Sequence, residues 1–358
     1  YNVIGITMKA KAGSAGIVDN SMNLINFGGI SRWDYLMTQF GVITTYVRLL
    51  LLPVNQNFDY DYPLATRFFQ PSVLLPLAFL LLLFGTALYL LYRSARPERR
   101  SNPLLRIAAF GMLWFFITLS VESSIIPIED FIYEHRAYLP SVGFFMSLLG
   151  MIHVLSASGK EIHGRIIRGG ICLMIALLSL GTIRRNEVWQ DKIYFWRDVV
   201  SKSPGKARAH RSLGGNLAKE GLLDEAAKEL TVAIALQSGY TDAYAALGNV
   251  SLEQNRFEDA RGYFDTALSL EPDNANIYGY LADLFLAQGK LGKARGALLR
   301  ALAVEPNMYH AHNNLGVIYE LEGRFAEAVR EYTMELQSDP ENRELRSKIA
   351  RLSERIGR

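Results

Sequence analysis

The sequence has 358 residues, half of them hydrophobic and 20% charged, with a net charge of +3. That length suits two domains of roughly 150 residues each. So small a charge, with no basic stripe interleaved with aromatics, excludes a nucleic-acid partner, and the single cysteine, Cys172, excludes a disulfide within the chain.

The composition hides two unlike halves: residues 68–183 are crowded with apolar runs, and 184–358 are polar and charge-rich. The chain opens at Tyr1 on polar, glycine-containing sequence such as Ala10–Ser14, with no apolar signal core. It reads as the C-terminal portion of a longer membrane protein; a processed mature N-terminus is the alternative.

Residues 1–67 form an extracytoplasmic segment. Within it, 33–52 carries Trp33, Leu36, Phe40, Ile43, Val47 and Leu50 at helical spacing. Asp34 and Arg48 disfavour a lone spanning helix, so an interfacial helix on the outer membrane surface is expected, ended by Pro53.

A membrane domain follows over 68–185. Spanning a hydrocarbon core takes about 20 apolar residues, and four spans are expected, at 68–92, 105–126, 137–158 and 166–184. Arg165, Arg168, Arg184 and Arg185 flank the last and can snorkel. The first loop holds Arg93, Arg96, Arg99, Arg100 and Arg106 against Glu98, the second Glu122, Glu129, Asp130 and Glu134 against Arg136, and the third Lys160, Arg165 and Arg168 against Glu161. The positive-inside rule then places loops one and three in the cytoplasm and everything after span four outside it. Arg184, Arg185 and Lys192 run against that orientation, but the Arg-rich first loop outweighs them.

Residues 186–206, with Trp189, Phe195 and Trp196, suggest a linking half-repeat. From there the chain repeats every 34 residues: Pro204, Pro272, Pro306 and Pro340 share one register, with Ser238 in the missing place. Leu213-Gly214, Leu247-Gly248, Leu281-Ala282 and Leu315-Gly316 share a second, and Ala226, Ala260, Ala294 and Ala328 a third. Leu230, Phe264, Leu298 and Tyr332 follow; then come Ala233, Ala267, Ala301 and, breaking the pattern, Glu335. This is the tetratricopeptide (TPR) period, with repeats at 207–240, 241–274, 275–308 and 309–342 and a capping helix at 343–358. Small residues let the two helices of each hairpin approach, and Gly221, Asn255, Gly289 and Gly323 fall at the turn, where positive φ is cheap. The fold class is therefore all-α: a multi-span transmembrane helical domain followed by a TPR superhelical solenoid.

Such arrays present a concave surface built from the first helix of each pair. Asn216, Asn249, Asp283, Asn313 and Asn314 are candidate lining residues for an extended peptide or partner protein; a merely solvated face is the bland alternative. The histidines give no metal site, since His310 and His312 point to different faces of one helix. Asn249-Val250-Ser251 matches a glycosylation acceptor only by accident, inside a helix. The informative polar cluster is Glu134, His135 and Arg136, just before a span that opens with Tyr138-Leu139-Pro140-Ser141. Charges at a span's mouth are either topological anchors or ligands for a membrane-borne headgroup. Asp59 and Asp61, near Arg48, form a second cluster on the same side.

The string TTYVRLLLLPVNQNFDYDYP, then the E-x-R-x-Y-L-P-S-x-G-F pattern from Glu134 to Phe144, then W-x₆-W leading into the repeats, resembles the transmembrane-and-TPR (TMTC-type) family and its bacterial relatives, from about Trp33 onward. That family belongs to the multi-span GT-C glycosyltransferases, which use a polyprenyl-phosphate sugar as donor; members attach mannose to Ser or Thr on the lumenal side. The resemblance implies an inverting transfer, in which a carboxylate takes the hydroxyl proton and the lipid phosphate leaves against Arg or His. Arg136 and His135 would clamp the phosphate, with Glu134, Tyr138 and Arg48 around them, and the repeats would hold the acceptor polypeptide. No metal or further cofactor is assigned. The family's catalytic acidic motif lies in a first outer loop this sequence does not contain, so the chain is expected to be inactive alone and its catalytic base stays unassigned. A bacterial inner membrane with the repeats in the periplasm is the expected location. The competing reading is a non-catalytic, membrane-anchored scaffold whose repeats assemble a protein complex.

Overall fold

The computed structural model describes residues 30–95, 103–120, 123, 131–157, 161–308 and 310–357. Among them the regular structure is entirely helical, and the chain divides into two compact units. The first comprises the described residues of Tyr1–Gln56 and Tyr62–Ile171; the second comprises those of Asn57–Asp61 and Cys172–Arg358.

In the first unit, α1 (Arg32–Leu51) starts at Ser31, whose hydroxyl accepts the Asp34 N–H, and its last turn is closed by the Leu52 N–H. Its buried face is Tyr35, Thr38, Gln39, Val42 and Tyr46, positions three and four apart that share one side of a helix. The apolar series seen in the sequence is mostly turned the other way: Trp33 is exposed, Leu36, Phe40, Ile43 and Leu50 are half-buried, and only Val47 is buried. The buried polar side chains Thr38 and Gln39 find partners within the protein. The segment after α1 turns back along it. Arg48 donates to the Val54 carbonyl (2.9 Å), Tyr62 meets Gly41, and the Ala65 N–H donates to Thr38 Oγ1 (2.9 Å).

Pro71 then opens α2 (Pro71–Ala95), and Pro103 opens α3 (Pro103–Ser120). Proline suits a first helical position, where its missing N–H would be unbonded anyway. A 3₁₀ turn, Glu134–Ala137, leads into α4 (Tyr138–Ala157). Three helices among the described residues are long and apolar enough to cross a membrane: Pro71–Ala95, Pro103–Ser120 and Glu134–Val154. Leu75, Leu81, Leu82, Ile117 and Leu149 stand on their outer surface, as lipid-facing residues do. The end of the expected second span, beyond Ser120, lies outside the described residues except at Ser123. The expected fourth span falls on α5 (Glu161–Gln190), where the side chains of residues 166 and 168 also lie outside them.

Lipid gives α3 and α4 no hydrophobic drive to associate, so close backbone packing holds them together. Gly111 and Gly143 lie against each other's carbonyl oxygens, and a Cβ at Gly150 would stand 3.1 Å from that of Ala108. The Trp114 indole N–H donates to the Leu139 carbonyl (3.2 Å) across the same seam.

The second unit takes up the end of α5 and continues with α6 (Lys192–Lys202), the expected half-repeat, capped by the Asp191 carboxylate on the Ile193 and Tyr194 N–H groups. Four hairpins follow: α7 (Ala207–Lys219) with α8 (Leu223–Leu236), α9 (Thr241–Glu253) with α10 (Phe257–Leu270), α11 (Ala275–Ala287) with α12 (Leu291–Val304), and α13 (Ala311–Leu321) with α14 (Phe325–Ser338). Gly221, Asn255, Gly289 and Gly323 all take positive φ at the turns, as expected. The closing helix α15 (Arg343–Ile356) buries Leu345 and Leu352 against Tyr332 and leaves its charged face to solvent.

The loop prolines have a repeated partner. His210, Tyr278 and His312 occupy one register, and each side chain reaches the carbonyl of its own loop proline: Pro204 (3.0 Å), Pro272 (3.1 Å) and Pro306 (3.3 Å). His210 and His312 also meet Glu229 (2.6 Å) and Glu331 (2.7 Å), so these histidines serve the hairpin.

Candidate functional site

The first candidate region is the mouth of α4. Its geometry is set by α1: the Tyr133 N–H donates to the Tyr46 hydroxyl (3.1 Å), Gln39 Nε2 donates to the Phe131 carbonyl (3.4 Å), and the Tyr35 and Phe131 rings stack obliquely at 5.8 Å. These contacts fix the chain just before the Glu134–Ala137 turn. The Arg136 guanidinium lies over the Tyr133 ring at 4.8 Å, and the Tyr133 and His135 rings are 5.1 Å apart. His135 and Tyr138 are exposed, and Glu134 and Arg136 are half-buried. The structure thus gathers Glu134, His135, Arg136 and Tyr138 within one turn and a half. Arg48 stands two residues after Tyr46 on α1, and its guanidinium is used to hold Val54. A guanidinium braced on an aromatic face, beside an imidazole at the head of an apolar helix, is suited to a phosphate oxyanion.

The second region is the groove of the array. It has a volume of about 430 Å³ and is walled by α7, α9 and α11 together with Trp196 of α6. Asn216 and Asn249 are among the residues that line it. Asp283 stands one repeat on from Asn249 at the same register; Asn313 and Asn314, on α13, hold the registers of Arg211 and Ser212. Asp283 still reaches solvent, but the helices around it displace enough water to push its carboxyl above the usual carboxylate range. Sequence reasoning missed Arg211, Lys219, Asp242, Trp196 and Tyr280, all on the wall. A signal was available: stepping the Arg211 register by the repeat period gives Ala245, a small residue that lines the groove.

The acidic pair after α1 has a different use. Asp59 is buried in the second unit, where its carboxylate pairs with Arg208 (2.9 Å) and Lys206 (3.7 Å). Asn57 Nδ2 and the Asp61 N–H both donate to Ser203 Oγ (2.7 and 2.8 Å). Phe58 enters a box of Trp189, Phe195 and Trp196, with ring centroids 5.4 to 6.0 Å away. Residues 57–61 are thus a strap on α6 and α7, and a carboxylate held this way is not poised to remove a proton. Among the described residues, no group of three or more His, Cys, Asp or Glu side chains stands together as metal ligands would.

Helices fit to cross a membrane, joined in one chain to a tetratricopeptide array, define the class: a membrane TPR protein. The tetratricopeptide repeat family model matches residues 245–303 and 281–343. The chain is 32% identical over 110 residues to the protein O-mannosyl-transferase Tmtc2 of Drosophila melanogaster, covering 30% of this chain and 11% of that one. It is 26% identical over 214 residues to the protein O-mannosyl-transferase F38B6.6 of Caenorhabditis elegans, covering 58% of this chain and 28% of that one. The TPR protein TTC0263 of Thermus thermophilus aligns with a TM-score of 0.42 at 21% identity, covering 49% of this chain and 94% of that one. The chain is thus related to the TMTC-type TPR proteins, as its motifs implied, and it spans between a tenth and a third of the length of the fly and nematode proteins.

Proposed function

We propose that this chain carries the acceptor-presenting part of a membrane glycosyltransferase, which moves a sugar from a polyprenyl-phosphate donor to Ser or Thr hydroxyls of polypeptides on the extracytoplasmic face. In a bacterial host that face is the periplasmic side of the inner membrane. The observation that carries the reading is the mouth of α4: Tyr46 pins Tyr133, Tyr133 braces Arg136, and Arg136 and His135 stand at the head of a helix fit to cross the bilayer. Departure of a lipid phosphate builds charge on an oxygen, and a preorganised guanidinium stabilises that charge most where water is scarce. Relatedness to O-mannosyl-transferases supports the same chemistry, and the groove offers an extended acceptor a polar wall.

The test is transfer of labelled sugar from a polyprenyl phosphate by membranes of cells that make the full-length protein. Arg136→Ala lowers transfer by about two orders of magnitude, the usual cost of removing one oxyanion donor, while helix content is retained. Transfer unchanged by Arg136→Ala and by His135→Ala overturns the phosphate-clamp assignment, and no transfer by the parent protein favours the non-catalytic scaffold.

A further inference from the structure

The groove's charge is polarised along the repeats. Arg211 and Lys219 on α7 and Asp242 at the start of α9 line the groove; Asp283, exposed on α11 beyond that lining, continues the register of the groove's Asn249 by one repeat. Among the described residues none of these four makes an ion pair, although ion pairs are common over the rest of the array, and Arg211 Nε is buried without a hydrogen-bond partner. A buried guanidinium N–H with no acceptor costs stability that a ligand can return. Asn249, on α9 between the two ends, offers its amide to a backbone rather than to a charge.

We propose that the groove reads an extended polypeptide by a charge frame: an acidic residue against Arg211 and Lys219, and a basic residue against Asp283. This rests on the reading that the groove holds a protein segment. Neighbouring helices lie roughly 10 Å apart, so α7 and α11, two repeats apart, are separated by about 20 Å. An extended chain rises about 3.3 Å per residue, which places the two ligand charges about six positions apart. The frame favours segments carrying both signs at that spacing over uniformly acidic or basic ones, because each mismatch sets like charges face to face.

Fluorescence anisotropy on the full chain in detergent micelles tests this with four labelled peptides of one Ala/Ser/Tyr background. Two carry one Asp and one Lys about six positions apart, in either order; the third carries two Asp and the fourth two Lys. At least one mixed peptide binds about tenfold or more tighter than both uniform ones, and rising salt erodes the difference. The double variant Arg211→Glu, Lys219→Glu shifts the preference to the two-Lys peptide. Equal binding of all four peptides, or an unshifted preference in the variant, overturns the charge frame and leaves peptide binding standing. If no peptide binds, the frame and the groove's acceptor role fall together.

Discussion

The Cα of Gly248 lies so close to the ring of Phe264 that a methyl group there would overlap ring carbons Cδ1 and Cε1. Gly316 meets Tyr332 in the same way in the last hairpin of the array. The third repeat solves the same contact with Ala282 and Leu298, both buried. Volume is shared across each hairpin: where the second helix carries an aromatic ring, the first carries no side chain. Gly248→Ala therefore destabilises the array by about 1–3 kcal/mol, the usual cost of overpacking a core. Adding Phe264→Leu recovers a large part of it, and a double-mutant cycle by urea unfolding measures the coupling.

The strap at 57–61 gives a second prediction. Phe58 is partly exposed, so Phe58→Ala costs less than the full ~3–5 kcal/mol of a buried aromatic. Asp59→Asn keeps the shape and removes the charge that Arg208 and Lys206 neutralise. Both substitutions speed hydrogen exchange in α6 and α7 and leave α13 and α14 unchanged. Equal effects along the whole array would show that the strap is not a local brace.

Glu335, which breaks the alanine pattern, works at the start of α13. Its two carboxylate oxygens accept the His310 N–H (3.1 Å) and the Asn313 N–H (3.2 Å). His310 sits there at φ 62°, with no side-chain cap of its own. Glu335 thus performs from a partner helix what an N-cap residue performs in place. Glu335→Ala restores the repeat pattern and yet destabilises by about 1 kcal/mol, with faster amide exchange over the first turn of α13.

A pH dependence follows from Asp198. Burial raises its pKa, but hydrogen bonds from Arg185 (2.5 Å) and Lys202 (2.7 Å) outweigh burial and hold it below the usual carboxylate range. A carboxylate depressed on folding contributes stability above its unfolded pKa and loses it as pH falls through the folded value. Asp198→Asn therefore lowers stability at neutral pH and narrows its gap to the parent protein under acid. Melting temperatures across that range measure the gap, and a gap independent of pH contradicts the linkage.

The TPR half was legible because its rules are local. A 34-residue period, small residues opposite large ones and turn residues at positive φ are all written within one hairpin's length, and every turn assignment held. The apolar runs that became α2, α3 and α4 were equally plain. Less was legible in α1, because part of its inward face is fixed by polar groups with partners far along the chain, such as Gln39 with Phe131. The groove's Asn216 and Asn249 could be placed on its wall from type and register. Its charges could not, because Arg211 and Lys219 look like ordinary surface cations until the helices enclose them.

By itself the sequence determined the elements and their repetition, since helix periodicity, span length and hairpin register depend on residues a few positions apart. Only the tertiary structure decided what the isolated polar groups do. It set Asp59 against Arg208 across 149 positions, and it set the Tyr133 N–H against Tyr46 across 87. Pairings at that distance leave no periodic trace in a sequence. They are selected by the cost of burying a charge or an N–H without a partner, which exists only once the chain has folded.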